Sequence, residues 1–390
     1  MSSAYRTIVV GNGLIGSAAA RHLALVSDGV VLLGPDEPAE RSQHAGVFAS
    51  HYDEGRMTRI VDPHPAWSVT AKRSIERYAS LEEETGIRFF TPSGYLGYGG
   101  AGAHYLESSE RTGRAHDAEV TRLSTDELRR AYPYLCVPDG TVGICEIGTA
   151  GHLSPRRMIE AQNVAAIQHG ARIVRDEAVT IRVSANRVEV DTKDGDTLAA
   201  DTVLIAAGAF TNACGLTDEP LDLTVFARTV ALAWMDDALM SVLSDMPTIG
   251  HAESGAYILP PIAYADGHHY LKIGMGTPSD RRLESYGELV EWFKSDGSVE
   301  NRVAMTDFLT ELIPSLKSCL HWSTATCAVT QTPTGLPFID YVVPDRVAVV
   351  VGGNGKGAKS SDDWGWLAAQ LVAAGDWDHP VTRDAVRLSR

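Results

Sequence analysis

Cysteine is scarce in this sequence of 390 residues, and long hydrophobic runs are missing. The five cysteines are few, odd in number and without CxxC spacing, so neither a disulfide framework nor a zinc site is predicted; they are Cys136, Cys145, Cys214, Cys319 and Cys327. No window holds 18 uninterrupted apolar residues, and the first residues lack a basic segment followed by an apolar core. A cytoplasmic protein without a membrane span is therefore predicted.

Basic blocks and repeats are missing as well. The 50 acidic residues outnumber the 34 basic ones, and the net charge is -16. Without a basic cluster to neutralise phosphates, neither nucleic acid nor an anionic membrane is an expected partner. No tandem repeat or low-complexity tract occurs. The length and the ordinary hydrophobic content of 44% indicate a globular protein, large enough for two lobes.

The first forty residues carry the clearest pattern. The β-branched run Ile8-Val9-Val10 predicts a buried strand, and Gly11, Gly13 and Gly16 follow it before a helix over 17 to 25 and a second strand over 30 to 33. In a strand–turn–helix unit such glycines permit the turn, the approach of a pyrophosphate and close helix packing, with the helix N-terminus facing the phosphates. A dinucleotide site is predicted.

One position departs from this fingerprint. The acidic residue that binds a ribose hydroxyl normally ends the second strand, where this chain has Gly34. Either Asp36 or a backbone group must replace it. The N-terminal unit does not separate NAD from FAD.

The remaining pattern places nucleotide-type strands near residues 8, 30, 203 and 347, with other material between them. Helices are predicted over 66 to 86, 124 to 135, 156 to 169, 285 to 294 and 303 to 312, and a last helix follows the glycine-rich loop after 351. Strand candidates within 222 to 276 suggest an antiparallel sheet. Two interleaved lobes are predicted.

Four stretches together resemble the D-amino acid oxidase superfamily of FAD-dependent oxidoreductases: Gly11 to Gly16, Gly151-His-Leu-Ser-Pro155, Ala206-Ala-Gly208 and Gly352 to Lys359. The closer similarity is to the branch of monomeric sarcosine oxidase and N-methyltryptophan oxidase. It implies an α/β fold of two lobes (α+β in organisation), a Rossmann-type FAD-binding lobe interleaved with a substrate lobe on a mixed or antiparallel sheet. The FAD-binding domain would comprise residues 1–85, 150–220 and 325–390, and the substrate domain 86–149 and 221–324.

The resemblance also implies roles for a cationic stretch, Ser50-His-Tyr-Asp-Glu-Gly-Arg56-Met-Thr-Arg59. In the family the first arginine lies near the flavin and the second grips the substrate carboxylate, which suits the planar fork of a guanidinium. Ser50 and Arg56 are thus assigned to the cofactor, and Arg59 to the substrate. His51 is either a structural histidine or a group that tunes the protonation of the substrate amine.

Two further stretches match family strands. Tyr270-Leu-Lys-Ile-Gly274 resembles the strand whose lysine activates dioxygen, so Lys272 is a candidate for stabilising superoxide, with a solvated lysine as the alternative. The segment that runs from Cys327 to Phe338-Ile-Asp340 resembles the one with a flavin-linked cysteine. Covalent FAD, joined through a thioether to Cys327, is therefore expected. A buried inert cysteine is the alternative.

The C-terminal glycine-rich loop supplies the last matches. Lys359 matches the lysine that joins the second arginine on the carboxylate, while Lys356 occupies a variable place and receives no role. The cofactor-binding set implied by the resemblance is Gly11, Gly13, Leu14, Ile15, Gly16, Asp36, Ser50, Arg56, Val179, Ala207, Gly208, Cys327, Gly353, Gly355, Gly357 and Lys359. The catalytic set is Lys272, Arg56, Arg59 and Lys359.

Two departures from the branch concern the substrate. Gly276 stands where sarcosine oxidases have a histidine, and Val329 where they have a tyrosine. Both changes remove polar bulk and suggest a larger or more apolar amino acid than sarcosine, with Tyr257 as a pocket wall.

The predicted function is oxidation of an amino acid-like secondary or primary amine to an imine by hydride transfer to FAD, followed by reoxidation by dioxygen to give hydrogen peroxide. A monomer acting on a small molecule is expected. An amino acid dehydrogenase with another electron acceptor, a non-catalytic flavoprotein subunit and an NAD-dependent dehydrogenase are the alternatives. The last of these leaves Cys327 and the loop from Gly352 to Lys359 unexplained.

Overall fold

The computed structural model of the chain describes residues 5–389. Residues 1–4, on which the expected absence of a basic and apolar leader partly rests, lie outside the described residues. The first four residues of the predicted segment 1–85 and the last residue of 325–390 lie outside them as well. No helix within 5–389 is both long and apolar enough to cross a bilayer.

Ten α-helices occur between residues 5 and 389. Their bounds are Leu14–Ala24, Pro65–Thr85, His104–Ala115, Thr125–Ala131, Pro155–Gln168, Phe210–Ala213, Asp237–Leu243, Tyr286–Lys294, Val299–Leu312 and Gly357–Val372. Short 3-10 helices span Arg41–Gln43, Pro314–Ser318 and Arg383–Val386. As predicted, Gly86 ends its helix in the left-handed conformation, with a φ of 72°.

The first large sheet contains the nucleotide-type strands. Its strands are, in hydrogen-bonded order, Ala178–Val183, Val188–Thr192, Thr197–Ile205, Tyr5–Val10, Val30–Leu33 and Arg172–Val174. Val347–Val351 pairs with the end of Thr197–Ile205, and Phe338–Val343 pairs with Val347–Val351. Ile8 lies between Val31 and Val203 in parallel register. The predicted strands near 8, 30, 203 and 347 therefore lie side by side, and the interleaved α/β fold is confirmed.

The second large sheet is mixed. Its order is Trp322–Gln331, Thr224–Trp234, His269–Gly274, Tyr257–Ala263, Thr248–His251, Tyr95–Gly100, Thr141–Glu146 and Val120–Leu123. Only the Thr248–His251 and Tyr95–Gly100 pair is parallel among these. Arg56–Thr58, Gly151–Leu153 and Phe90–Thr91 form a small third sheet.

The division into two domains stays a prediction, and the strands refine where it would fall. The boundary at 325 lies inside Trp322–Gln331, which pairs with Thr224–Trp234 in the second sheet along its whole length. By sheet membership, residues 322 to 331 would belong to the predicted substrate domain. Helix Val299–Leu312 also starts earlier than predicted, because the Ser298 side chain accepts a hydrogen bond from the Asn301 amide, at 3.2 Å.

A buried ionic cluster ties four helices together around Asp362. Its carboxylate accepts hydrogen bonds from Arg21 of the first helix, Arg77 of Pro65–Thr85 and Gln162 of Pro155–Gln168, at 2.5, 3.0 and 2.9 Å. Burial by itself would raise the pKa of Asp362, but His22, Arg21 and Arg77 outweigh it and hold this pKa well below its usual range. Asp362 is therefore a charged group at the junction of the helical layer.

Replacing this carboxylate tests how much the cluster stabilises the fold. Asp362→Asn keeps the shape but leaves the buried Arg21 guanidinium without its counter-ion, whereas Arg77 keeps its pair with Asp363. We therefore expect a loss of about 3–5 kcal/mol in the free energy of unfolding. Urea denaturation measures it. Asp139→Asn, at a 95% exposed side chain that also pairs with an arginine, is the control and should leave the midpoint nearly unchanged. Equal midpoints for both variants would contradict the assignment.

Candidate functional site

A cavity of about 620 Å³ is lined by residues of both large sheets. The glycine turn after the first strand forms one end, and arginines and lysines from residues 56 to 59 and 356 to 359 line another part of the wall. Its volume is typical of a site that encloses a small molecule or cofactor.

The glycine turn is shaped for a phosphate group. Gly11 has a φ of 115°, and a Cβ there would overlap the carbonyl oxygen of Ala206. A Cβ at Gly13, by contrast, would meet no protein atom within 4 Å and would point into open space. No side chain caps the helix Leu14–Ala24, and its first turn has no acidic residue. Its free amide groups can therefore bind an anion such as a pyrophosphate.

The acidic residues near the end of the second strand, where a ribose is expected, differ from the prediction of Asp36. Gly34 is required because a Cβ would approach the Asn12 amide nitrogen at 2.5 Å. Asp36 is 62% exposed, pairs with Arg175 at 2.7 Å and does not line the cavity. Asp176 and Glu177, which follow the neighbouring strand Arg172–Val174, line it instead. These two acidic residues are thus better placed than Asp36 to meet a ribose.

Buried polar atoms without a protein partner support a large polar ligand. Asn12 Oδ1, His51 Nδ1 and Arg59 Nε have no hydrogen-bond partner in the described part of the chain, and all three residues line the cavity. Burial, with the charges of Arg56 and Arg156, lowers the pKa of His51 to about 3. His51 is therefore neutral near pH 7, and the donors and acceptors present fit a dinucleotide that carries a polar ring system.

Arg56 and Lys272 meet at one carboxylate. Both form ion pairs with Asp53 Oδ2, and Lys272 also donates to the Gly55 carbonyl oxygen at 2.9 Å. Arg56 lines the cavity, whereas the Lys272 side chain is buried behind it. The alternative of a solvated Lys272 is therefore wrong, because the side chain is only 1% exposed.

Arg59 and Lys359 form a second cationic group. The guanidinium of Arg59 lies 4.7 Å from the centre of the Tyr95 ring and donates to the Tyr105 hydroxyl at 2.9 Å. Lys359 Nζ is bonded to buried Asp62 at 2.9 Å. Lys356, which received no role from the sequence, binds the other oxygen of Asp62 at 3.0 Å. Three cations thus surround one carboxylate.

Burial tunes the protonation of both lysines. It lowers the pKa of Lys359 to about 8; Asp62 opposes the shift, and Arg59 and Lys356 reinforce it. It likewise lowers the pKa of Lys272 to about 8. Both ammonium groups are charged at neutral pH and lose that charge in mildly alkaline solution.

Cys327 lies in the middle of its strand and lines the cavity. Its cross-strand neighbour is Arg228, which is ion-paired with Asp280. A Cβ on Gly276 would come within 3.0 Å of the Arg228 guanidinium. The space that Gly276 leaves is therefore bordered by a charged group. The expected preference for a larger or more apolar amino acid than sarcosine stays a prediction.

The C-terminal loop completes the wall. Gly353, Gly355, Gly357 and Lys359 all line the cavity, and the helix Gly357–Val372 begins there without a side-chain cap. Gly355 has a φ of 73°. A second uncapped helix N-terminus is thus available to a ligand with partial negative charge.

Most of the predicted site residues come together around the cavity. Those that line it are Gly11, Gly13, Leu14, Ile15, Ser50, Arg56, Arg59, Ala207, Gly208, Tyr257, Cys327, Gly353, Gly355, Gly357 and Lys359. Gly16, Asp36, Val179 and Lys272 do not. Gly16 serves helix packing, since a Cβ there would overlap the Gly11 carbonyl, and Val179 is 51% exposed on an outer strand.

Sequence reasoning missed the acidic residues of the site. Asp53 and Asp62 are buried partners of Lys272 and Lys359, yet only the cations were assigned roles. A usable signal was present: both aspartates lie in the segment that carries Arg56 and Arg59. Buried cations need counter-ions, and the nearest acidic residues in the chain were the candidates.

The fold and the cavity together define a dinucleotide-binding oxidoreductase. The FAD dependent oxidoreductase family, DAO, matches residues 6–373, and the chain belongs to this family. FAD is its cofactor. Monomeric sarcosine oxidase of Bacillus sp. (strain NS-129) is 26% identical over 405 residues, covering 99% of both proteins.

Two further comparisons agree. N-methyl-L-tryptophan oxidase of Yersinia pestis (strain Pestoides F) is 25% identical over 395 residues, again with 99% of each protein covered. The structure of NikD, an unusual amino acid oxidase essential for nikkomycin biosynthesis, aligns with 99% of this chain and 98% of its own, with a TM-score of 0.77 and 16% identity. The predicted family is confirmed.

A methyl group at Gly13 tests the cofactor cradle. Because the Cβ of Gly13→Ala would project into open space, we expect normal folding of the apoprotein but FAD binding weakened at least about tenfold, or about 1.4 kcal/mol. Flavin fluorescence quenching gives the affinity, measured in a Cys327→Ser background so that no covalent link can form. Gly287→Ala, which also meets nothing within 4 Å but does not line the cavity, is the matched control. Unchanged affinity in Gly13→Ala would argue against the cradle.

Proposed function

We propose that the chain is an amine oxidase that acts on the CH–NH or CH–NH2 group of a carboxylated, amino acid-like substrate. The observation that carries the proposal is the cationic pair of partly buried Arg59 and buried Lys359 in the wall of the cavity that Arg56 and Cys327 also line. Relatives named for sarcosine and N-methyl-L-tryptophan support the substrate class.

Arg59 and Lys359 would hold the substrate carboxylate. Arg59 keeps its Nε without a protein partner among the described residues, and its contact with the Tyr95 ring and its hydrogen bond to the Tyr105 hydroxyl fix the guanidinium plane. A carboxylate fixed at this point would place the adjacent C–H bond in a constant position in the cavity. Tyr257, also in the wall, would bound the substrate.

When bound, FAD would supply hydride acceptance from that C–H bond and transfer of the two electrons to dioxygen, so that the amine becomes an imine and hydrogen peroxide forms. No residue near Arg59 is required as a base if the amine binds without its extra proton. Water hydrolyses the released imine. Lys272 would supply positive charge for the step in which negative charge develops on oxygen.

An amino acid dehydrogenase remains the second candidate, since Lys272 is bonded to Asp53 and does not line the cavity. A dehydrogenase would have no need of a charge directed at dioxygen. Peroxide released in air by purified protein, measured with a peroxidase-coupled dye, supports the oxidase. Substrate turnover that requires a quinone or dye and yields no peroxide supports the dehydrogenase. The monomeric state and the cytoplasmic location stay predictions.

The covalent link between FAD and Cys327 is tested by acid precipitation. We expect the yellow colour to stay with the wild-type pellet and to pass into the supernatant of Cys327→Ser, because the substitution removes the thioether sulfur. Cys214→Ser is the control: Cys214 also lines the cavity, but burial raises the pKa of its thiol to about 11. Colour in the wild-type supernatant would disprove the link.

Carboxylate binding is tested with propionate, which has no amine to titrate. We expect its affinity, read from the flavin absorption spectrum, to fall as the pH rises through about 8, because Lys359 then loses its charge. Lys359→Met should weaken binding about 10- to 100-fold, the worth of a charge-assisted hydrogen bond, and remove this pH dependence.

Lys356→Met is the matched control for that measurement. Lys356 pairs with the same Asp62 but its side chain is 35% exposed, so solvent screens its charge and the loss should be smaller. If propionate binds equally well to Lys359→Met and wild type, the carboxylate site lies elsewhere.

A further inference from the structure

The segment Asp53-Glu-Gly55 forms a small anionic socket for two cations. Asp53 is buried, and its Oδ2 is paired with both Arg56 and Lys272. Its Oδ1 accepts hydrogen bonds from the Tyr264 hydroxyl and the Glu54 amide, at 2.9 and 2.8 Å. Both oxygens of the Asp53 carboxylate therefore have partners, and these contacts hold the carboxylate in its orientation toward the two cations.

The backbone of Gly55 forms the other half of the socket. Its carbonyl oxygen accepts from Lys272 and from Arg56, each at 2.9 Å. A Cβ on Gly55 would lie 2.8 Å from Leu259 and 2.6 Å from Ile262. Glycine is thus what allows this loop to approach the strand Tyr257–Ala263, which pairs with the strand of Lys272. Sequence and packing together bring the loop within reach of Lys272.

Without Asp53, burial and the charge of Arg56 would oppose a positive charge on Lys272, against the Gly55 carbonyl oxygen that favours it. The side chain is buried, and Arg56 is a neighbouring cation. The other titratable groups that face it are Tyr257, whose ring centre is 5.6 Å from Nζ, and Cys327. Tyr264 faces Asp53 rather than Lys272. Asp53 is therefore the one carboxylate bonded to Lys272 within residues 5–389.

We propose that Asp53 is a positioning residue that keeps the Lys272 side chain protonated and fixed beside Arg56. The inference rests on the proposed function, in which the charge of Lys272 assists the reaction with dioxygen. Asp53 itself does not line the cavity and would act only through the two cations.

The electrostatic balance gives the expected direction. Burial and Arg56 lower the pKa of Lys272 to about 8, while Asp53 opposes them. In Asp53→Asn this opposition is lost, so the pKa of Lys272 should fall by at least about one, a tenfold change in its proton affinity. Near pH 8 most of the variant would then carry a neutral Lys272.

The experiment follows Lys272 directly in the FAD-loaded protein. Lysine labelled with carbon-13 at Cε reports the titration by NMR, and the Lys272 signal is identified by its loss in Lys272→Met. Wild type should titrate near pH 8, and Asp53→Asn at a clearly lower pH. Glu54→Gln is the matched control, since the neighbouring Glu54 carboxylate is bonded to Arg156 at 2.7 Å and not to Lys272. A titration in Asp53→Asn at the wild-type pH, or an equal shift in Glu54→Gln, overturns the proposal.

A second pair of variants covers the case in which Asp53→Asn does not fold, because it leaves buried Lys272 and partly buried Arg56 without a counter-ion. Arg56→Met removes one cation, and the double variant Arg56→Met/Asp53→Asn removes that cation and the carboxylate together. The proposal predicts a lower titration pH for Lys272 in the double variant than in Arg56→Met. Equal values overturn it.

Stopped-flow reoxidation by dioxygen separates this inference from the proposed function. Lys272→Met should slow reoxidation below about pH 8, where the wild-type Lys272 is charged, and should remove the fall in rate at higher pH. Asp53→Asn should move that fall in rate to lower pH. If Lys272→Met reoxidises as fast as wild type, the role of Lys272 in the proposed function fails, whereas the NMR comparison still decides the role of Asp53.

Discussion

Buried positive charge must be balanced inside this protein, and the segment from Asp53 to Asp62 provides the balance. Asp53 neutralises part of the charge of Arg56 and Lys272, and Asp62 does the same for Lys359 and Lys356. Removing charges from water is costly unless each is paired and hydrogen-bonded. The cations around the cavity can therefore be held in place only because this segment passes between them, and a net excess of positive charge remains beside Arg59 for an anionic ligand.

The segment from Asp53 to Asp62 also connects the sheets and the last helix. The segment contributes Arg56–Thr58 to the small third sheet, contacts the second large sheet through Asp53, and reaches the last helix through Asp62 and Lys359. Chain regions far apart in sequence thus converge on one cavity: the glycine turn of the first sheet, Cys327 of the second, and the loop before Gly357–Val372. The interleaved topology places the groups predicted to bind the cofactor and the groups proposed to bind the substrate on a common wall.

Much of this arrangement is readable from the sequence, and the part that is not has a physical cause. The strands near 8, 30, 203 and 347 and the glycine turn follow from local sequence patterns, the apolar runs and the glycine spacing. The positions of the other side chains were decided by contacts between residues that are distant in the sequence. Asp36 turned outward to Arg175, Arg228 came to border the space left by Gly276, and Asp53 found a partner more than two hundred residues away. No local periodicity contains such contacts.

The most direct measurement is a crystal structure of the FAD-loaded protein with a bound carboxylate. It should show the flavin ring joined to Cys327, and the carboxylate oxygens within hydrogen-bond distance of both Arg59 and Lys359. A carboxylate bound away from these two residues, or a flavin ring remote from Cys327, would contradict the account.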